Sequence, residues 1–439
     1  MKRKNIRELA LILLDRYEAG GSYVNLSLNS HITDGLSREE RAHLTRLLYT
    51  TVERKLTYDY YAASLAGRAL SDIDPHTLNI IRLGMCGILH TRTADYAAVN
   101  ETVALAGGPG ERGFVNAILR ATVKRKEEGT LPMPPREKNA ARHISVKHSF
   151  PLPTVKRFIE ILGEEECEEL LSVFNSERPT DITVNTRKIS REELMKELSE
   201  RGLKVTPSER SRLSLRIEGS IDPTGLPGFD EGHFFVQDEV CALSAEALGT
   251  KEGDSVVDVC ASPGGKSFAA AILAGDMGRV KSFDLHEGRV SLILGGAARL
   301  GLEKTIEAEA RDATNPDKTL VESFDRVICD VPCSGLGVLG KKPDLRYGRE
   351  YSAELPALQL EIAEASLSYL SPGGVMVYST CSIDPRENEE VVRELLSRHP
   401  ELSPIDFKAG DLESTNGMLT TYPHRHGCDG FFIAKLKKA

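Results

Sequence analysis

Two cysteines occupy positions that chemistry explains better than packing does. Cys333 stands in Asp330-Val331-Pro332-Cys333-Ser334-Gly335, and Cys381 in Tyr378-Ser379-Thr380-Cys381-Ser382. Each follows a short apolar run, Val327-Ile328-Cys329 or Val375-Met376-Val377-Tyr378, that reads as a strand and so puts the thiol on a loop at a strand end. In an open α/β sheet the carboxyl ends of the strands line the ligand crevice. Two thiols there point to covalent chemistry. The thiolate is the reactive species and a free thiol has a pKa of ~8.5, so the site must favour the anion or accept its proton.

The elements around them indicate what else the crevice holds. Val256-Val257-Asp258-Val259 is an apolar strand, Cys260-Ala261-Ser262-Pro263-Gly264-Gly265 a turn, and Lys266-Ser267-Phe268 the start of a helix. A phosphate-binding P-loop would need glycine where Cys260 stands, and the dinucleotide fingerprint needs more than the adjacent pair Gly264 and Gly265, so ATP and NAD are both disfavoured. What remains is a turn whose backbone can approach a nucleoside-like ligand. A second strand, Val280 to Phe283, ends in Asp284, about 20 residues past the glycine pair, where such folds hold a ribose. A weak third strand at 305–309 is followed by Asp312, and a fourth at 325–330 ends in Asp330. Helical stretches at 286–300 and 353–370 alternate with these strands, which predicts a doubly wound, mostly parallel sheet.

These motifs resemble those of the S-adenosylmethionine-dependent RNA 5-methylcytosine methyltransferases. The residues that carry the resemblance are the Cys260–Lys266 loop, the Asp330–Gly335 and Thr380–Ser382 segments, and Pro385-Arg386-Glu387-Asn388-Glu389. Within that family the chain is most similar to the bacterial branch that acts on small-subunit rRNA and carries an N-terminal NusB-like domain. The resemblance implies that Cys381 attacks carbon 6 of cytosine, activating carbon 5, and that Cys333 assists release of the methylated base. Asp330 would meet the base's polar edge as a general acid with a raised pKa. S-adenosylmethionine would be held by Cys260, Ala261, Ser262, Pro263, Gly264, Gly265, Lys266, Asp284, Arg289, Asp312 and Asp330, with Lys266 orienting the site or capping the turn.

The remaining cysteines read differently. Cys86, Cys167, Cys241 and Cys329 are expected to be small buried apolar residues, and Cys260 to line the cofactor turn. No second pair of ligands accompanies Cys329 and Cys333, so no metal is expected. Two other functions would use parts of the same sequence. An RNA-binding adaptor of the antitermination type would not need the intact thiol and glycine motifs. A methyltransferase with an amine or hydroxyl acceptor would need no thiol, whereas a tRNA 5-methylcytosine enzyme would use the same residues.

At 439 residues and 40% hydrophobic content the chain is long enough for about three domains. Residues 1–128 read as an all-α, NusB-like domain: Met1-Lys2-Arg3-Lys4 leads into an amphipathic helix, Ser37 and Glu40 form a capping box, and Asp74-Pro75 opens a helix burying Leu78, Ile81, Met85 and Leu89. Residues 129–144, beginning with the prolines of 132–135, read as a linker. Residues 145–239 read as a small α+β domain, with strands at 182–184 and 213–217 around a helix from Ser190 to Leu198, and resemble the RNA-binding domain that precedes the catalytic one in the family; 240–439 resemble its Rossmann-like methyltransferase domain. Without an apolar run of membrane-spanning length or a signal peptide, and with eight irregularly spaced cysteines, the expectation is a cytoplasmic monomer with reduced thiols. The net charge of −9 is unusual for an RNA-binding protein. Local basic clusters, Arg120 to Lys147 and Lys341, Lys342 and Arg346, are the expected phosphate contacts.

Overall fold

The computed structural model describes residues 5–439 apart from 21–32, 34, 220 and 349–352. The charged lead Met1–Lys4 therefore lies outside the described residues. The chain divides into two compact units, Met1–Asn175 with Leu339–Arg349, and Ser176–Val338 with Glu350–Ala439.

The first unit is helical: α1 (Ile6–Glu18), α2 (Arg38–Glu53), α3 (Lys55–Ala66), α4 (Pro75–His90), α5 (Asp95–Val103) and α6 (Pro109–Glu127). The predicted start signals operate. Ser37 and Glu40 cap α2 reciprocally, and the Asp74 side chain accepts from the backbone N–H of Thr77 with Pro75 at the first helical position. Helix α4 differs from expectation, for it is buried on all sides from Thr77 to Ile88 and not on one face. It packs against α1, α2, α3, α5 and α6, and a helix apolar all round belongs at such a centre.

The linker is shorter than the sequence indicates. The Asn139 side chain accepts from the backbone N–H of Arg142 at 2.8 Å and starts α7 (Ala140–His148); α8 (Leu152–Leu162) and α9 (Glu164–Phe174) follow. Much of the expected basic stripe is neutralised within this unit. Arg136 and Lys147 both meet Glu168, at 2.6 and 2.5 Å, and Lys126 meets Asp95 at 2.9 Å. Arg346 is no phosphate-ready cation either. Its guanidinium lies 3.9 Å from the centre of the Phe150 ring and donates to Asn175 Oδ1 at 2.9 Å.

Among the described residues the second unit holds two main sheets and a separate two-stranded one. The smaller main sheet consists of β1 (Thr180–Val184), β2 (Val205–Pro207), β3 (Ser214–Ile217) and β4 (Phe234–Val236), antiparallel in the order β2-β3-β1-β4. Between β1 and β2 runs α10 (Arg191–Glu200), opened by the Ser190–Glu193 capping box. The larger sheet begins after α11 (Glu239–Ala247). Its parallel core is β5 (Ser255–Asp258), β6 (Arg279–Asp284), β7 (Ile306–Ala310), β8 (Phe324–Asp330) and β9 (Leu370–Thr380). Then come β10 (Leu402–Pro404), the two-stranded β11 (Lys408–Ala409) and β12 (Leu412–Glu413), β13 (Met418–Thr421) and β14 (Phe431–Lys438), with β14 antiparallel to β9. The order β10-β14-β9-β8-β5-β6-β7 reverses direction at β5, which makes the gap between the carboxyl ends of β5 and β8 the switch-point crevice.

Alternation along the strands explains why this sheet is covered on both faces. Val256, Ile328 and Val377 join one apolar cluster, with α12 (Gly265–Ala274) and α13 (Glu287–Leu300). Val257, Val327, Cys329, Met376 and Tyr378 join the other, with α14 (Leu355–Leu367) and α15 (Glu389–Arg398). Strands buried on both faces read as near-continuous apolar runs, as these do.

Candidate active site

Cys333 follows the end of β8 and Cys381 the end of β9, neighbouring parallel strands, and their Sγ atoms lie 3.1 Å apart. The register pairs Asp330 with Ser379, so the two thiol loops leave the sheet side by side. They are also stitched together. The Gly337 N–H donates to Cys381 O and the Gly430 N–H to Gly337 O, both at 2.9 Å. Gly337 must be glycine, since a Cβ there would run into the Gly430 backbone. The Cys333 thiol is pushed well above the ordinary thiol range, first by its hydrogen bond with Cys381, then by burial, then by negative charge at Cys381 and Glu387.

The proton-donor role expected of Asp330 is not what its contacts support. Its Oδ2 accepts from the Lys266 ammonium at 2.6 Å and its Oδ1 from the Ser379 hydroxyl at 2.7 Å, so Asp330 serves as an acceptor. Burial works against that ammonium, but Asp330 and then Cys241 more than offset it and hold Lys266 above the usual lysine range. Lys266 also lies 5.0 Å from the centre of the Phe431 ring, and it does not cap the glycine turn.

On the other side of the crevice, Ala261 donates its N–H to Phe283 O at 2.7 Å, and Gly264 donates to Ala261 O to close the turn. Gly264 has φ 112°, which only glycine adopts readily, while a Cβ on Gly265 would lie 2.8 Å from the Nε2 of the Gln237 side chain. Ser262 and Pro263 complete the turn, and burial, first of several causes, lifts the Cys260 thiol well above the range of a nucleophile. Asp284 ends β6. One of its oxygens accepts from His286 N–H at 3.2 Å and the other is 3.9 Å from Arg289, beyond hydrogen-bonding distance, which leaves the carboxylate acceptor capacity suited to a ribose diol. Asp312 is exposed and bonded only within its own turn, to the Thr314 N–H and hydroxyl. The donor and acceptor set of Gly264, Gly265, Asp284 and Asp312 thus fits a nucleoside sulfonium such as S-adenosylmethionine. Cys86, Cys167 and Cys329 are fully buried. Among the described residues no group of three His, Cys, Asp or Glu side chains could hold a metal.

Residues without an assigned role in the sequence also belong to this site. Asp258, at the end of β5, is buried and accepts from the Ser267 hydroxyl at 2.7 Å; burial, first among its causes, pushes its carboxyl up to about 7. Its position at a strand end was the available signal. Glu387 and Gln359 are completely buried beside the thiol loops. Glu387 lies in the Pro385–Glu389 motif, but Gln359 sits in a helix 24 residues after Gly335 and 21 before Thr380, with no local pattern to mark it.

A switch-point crevice with a Gly-Gly turn after its first strand and acidic residues at the next strand ends defines a Rossmann-like methyltransferase. Residues 245–437 match the family described as 16S rRNA methyltransferase RsmB/F, 4–124 the NusB family, and 150–223 the ferredoxin-like domain of RsmF/B-like methyltransferases. A probable ribosomal RNA small subunit methyltransferase B of Bacillus subtilis is 33% identical over 100% of both chains, and one of Synechocystis 35% identical over 99% of each. The crystal structure of PH0851 superposes over 99% of both chains with a TM-score of 0.79 at 26% identity. The chain belongs to the 16S rRNA methyltransferase RsmB/F family, and it is an RNA methyltransferase. Among the described residues no helix is long and apolar enough to cross a membrane.

Proposed function

We propose that the protein methylates carbon 5 of a cytidine in small-subunit rRNA through a covalent adduct with Cys381. The observation that carries this reading is the pair of thiols 3.1 Å apart beside the Lys266–Asp330 pair. S-adenosylmethionine, when bound by Gly264, Gly265, Asp284, Arg289 and Asp312, supplies an electrophilic methyl group.

Carbon 5 of cytosine is too weak a nucleophile to react unaided. The Cys381 thiolate adds to carbon 6, and the electron pair of the 5,6 double bond is displaced onto carbon 5 and the polar edge of the ring. Lys266 offers that edge a donor and Asp330 an acceptor, and both are fixed in advance by their mutual hydrogen bond. While Cys381 is free, its hydrogen bond and charge keep the proton on Cys333. Once its lone pair is committed to carbon 6, that restraint is lifted and Cys333 becomes the easier thiol to ionise. After transfer, Cys333, its own proton released to water, takes the proton from carbon 5 as a thiolate. The electron pair of that bond re-forms the double bond, and the carbon–sulfur bond breaks, returning its electrons to Cys381.

The two thiols are separable by experiment. Cys381→Ala should transfer no methyl group and form no covalent RNA adduct, because the activating addition cannot occur. Cys333→Ala should methylate once and stay attached to its RNA on a denaturing gel. A stable adduct in the Cys381 variant with none in the Cys333 variant would reverse the assignment.

A further inference from the structure

Glu387 is the buried charged group beside the thiols that this scheme leaves without a task. It is 0% exposed and precedes α15. Its Oε1 accepts from the hydroxyls of Ser334 at 2.5 Å and Ser382 at 2.8 Å. Its Oε2 accepts from the Ser334 N–H at 2.8 Å and from Gln359 Nε2 at 3.0 Å. A carboxylate has about four lone-pair sites, and all are filled, so Glu387 is a junction and not a base. Ser334 follows Cys333 and Ser382 follows Cys381, while the same Gln359 amide donates to the carbonyl of Pro332, on the other flank of Cys333, at 3.0 Å.

The two loops depend on this junction unequally. The Cys381 loop has further anchors: the Thr380 hydroxyl donates to Asn388 Oδ1 at 2.6 Å and Asn388 Nδ2 donates to Ser382 O at 3.0 Å. Both neighbours of Cys333 are held through Glu387 and its partner Gln359. We infer that Glu387 is a positioning residue that fixes Cys333 against Cys381 and so governs release of the methylated RNA more than formation of the adduct. This rests on the covalent scheme proposed above.

The test uses the full-length protein, S-adenosylmethionine and the RNA substrate in single turnover, reading methyl transfer and protein–RNA adduct separately. In Glu387→Gln the new amide meets two donors where an acceptor stood. Methyl transfer should slow less than threefold and release about tenfold or more, so that adduct accumulates as in Cys333→Ala. Adding Glu387→Gln to Cys333→Ala should slow release no further. Should Glu387→Gln fail to fold, Ser334→Ala, which removes one hydroxyl and keeps the backbone bond, should still slow release about threefold in a protein that remains folded, its thermal stability lowered only by the loss of one hydrogen bond. Equal slowing of both steps, or no adduct in a folded Glu387→Gln or Ser334→Ala protein while Cys333→Ala traps one, overturns the inference. If Cys333→Ala itself traps none, the covalent scheme falls, a distinguishable result.

Discussion

The two sides of the crevice are built in opposite ways. At the ends of β8 and β9 the side chains are tied to partners far off in the chain: Asp330, Ser334, Ser382, Glu387 and Asn388 each bond to a residue distant in the chain or on another loop. At the ends of β6 and β7 the carboxylates are left with local partners, Asp284 with His286 and Asp312 with Thr314. The difference follows from what each side handles. A thiol must meet one ring carbon within a few tenths of an ångström, and such placement is lost if its loop relaxes. A ligand that enters and leaves is better met by groups that retain acceptor capacity when free.

The largest expected effect is at Asp258, the buried carboxyl that ends β5 between the two sides, with one oxygen bonded to Ser267 and the other without a hydrogen-bond partner. Its pKa of about 7 in the fold exceeds the unfolded value of about 3.9, so the folded state binds the extra proton. Stability from this group is fully present below about pH 4 and is lost as pH rises through 7. Asp258→Asn should remove that loss, gaining up to about 4 kcal/mol relative to wild type between pH 4 and 7.5. Urea unfolding at several pH values would show it, and parallel pH slopes for the two proteins would refute it.

A smaller effect is expected on the open side. Asp284→Ala should weaken cofactor affinity by about 1.5–3 kcal/mol, the cost of losing a hydrogen bond to a charged group, with little change in unfolding free energy. Calorimetry reporting unchanged affinity would move the ribose elsewhere.

The smallest concerns the exposed helix α6. Replacing Lys124, Arg125 and Lys126 by Ala should flatten the salt dependence of RNA binding by about one unit, not the roughly two that three phosphate contacts to a single strand would give. Lys126 is already committed to Asp95 and the Ile88 carbonyl, and Lys124 faces Glu128. An unchanged slope would mark the segment as solvated surface without RNA.

What the sequence by itself determined was everything carried by local pattern. Short continuous apolar runs placed β5, β6, β8 and β9, the capping boxes at Ser37 and Ser190 started their helices, and contiguous motifs marked both thiols and the Gly264–Gly265 turn. These signals survive because hydrogen bonding and side-chain alternation act over a few residues. Only the tertiary structure decided which charges were free. Arg346 read as a phosphate contact and packs on Phe150, Asp330 read as an acid and accepts from Lys266, and α4 read as amphipathic and lies at a bundle centre. Likewise Gln359 acquires its place beside Pro332 and Glu387 only because α14 packs over β8 and β9. A charge or amide is fixed by whichever partner the fold brings within about 3 Å, and that partner can stand anywhere in the chain.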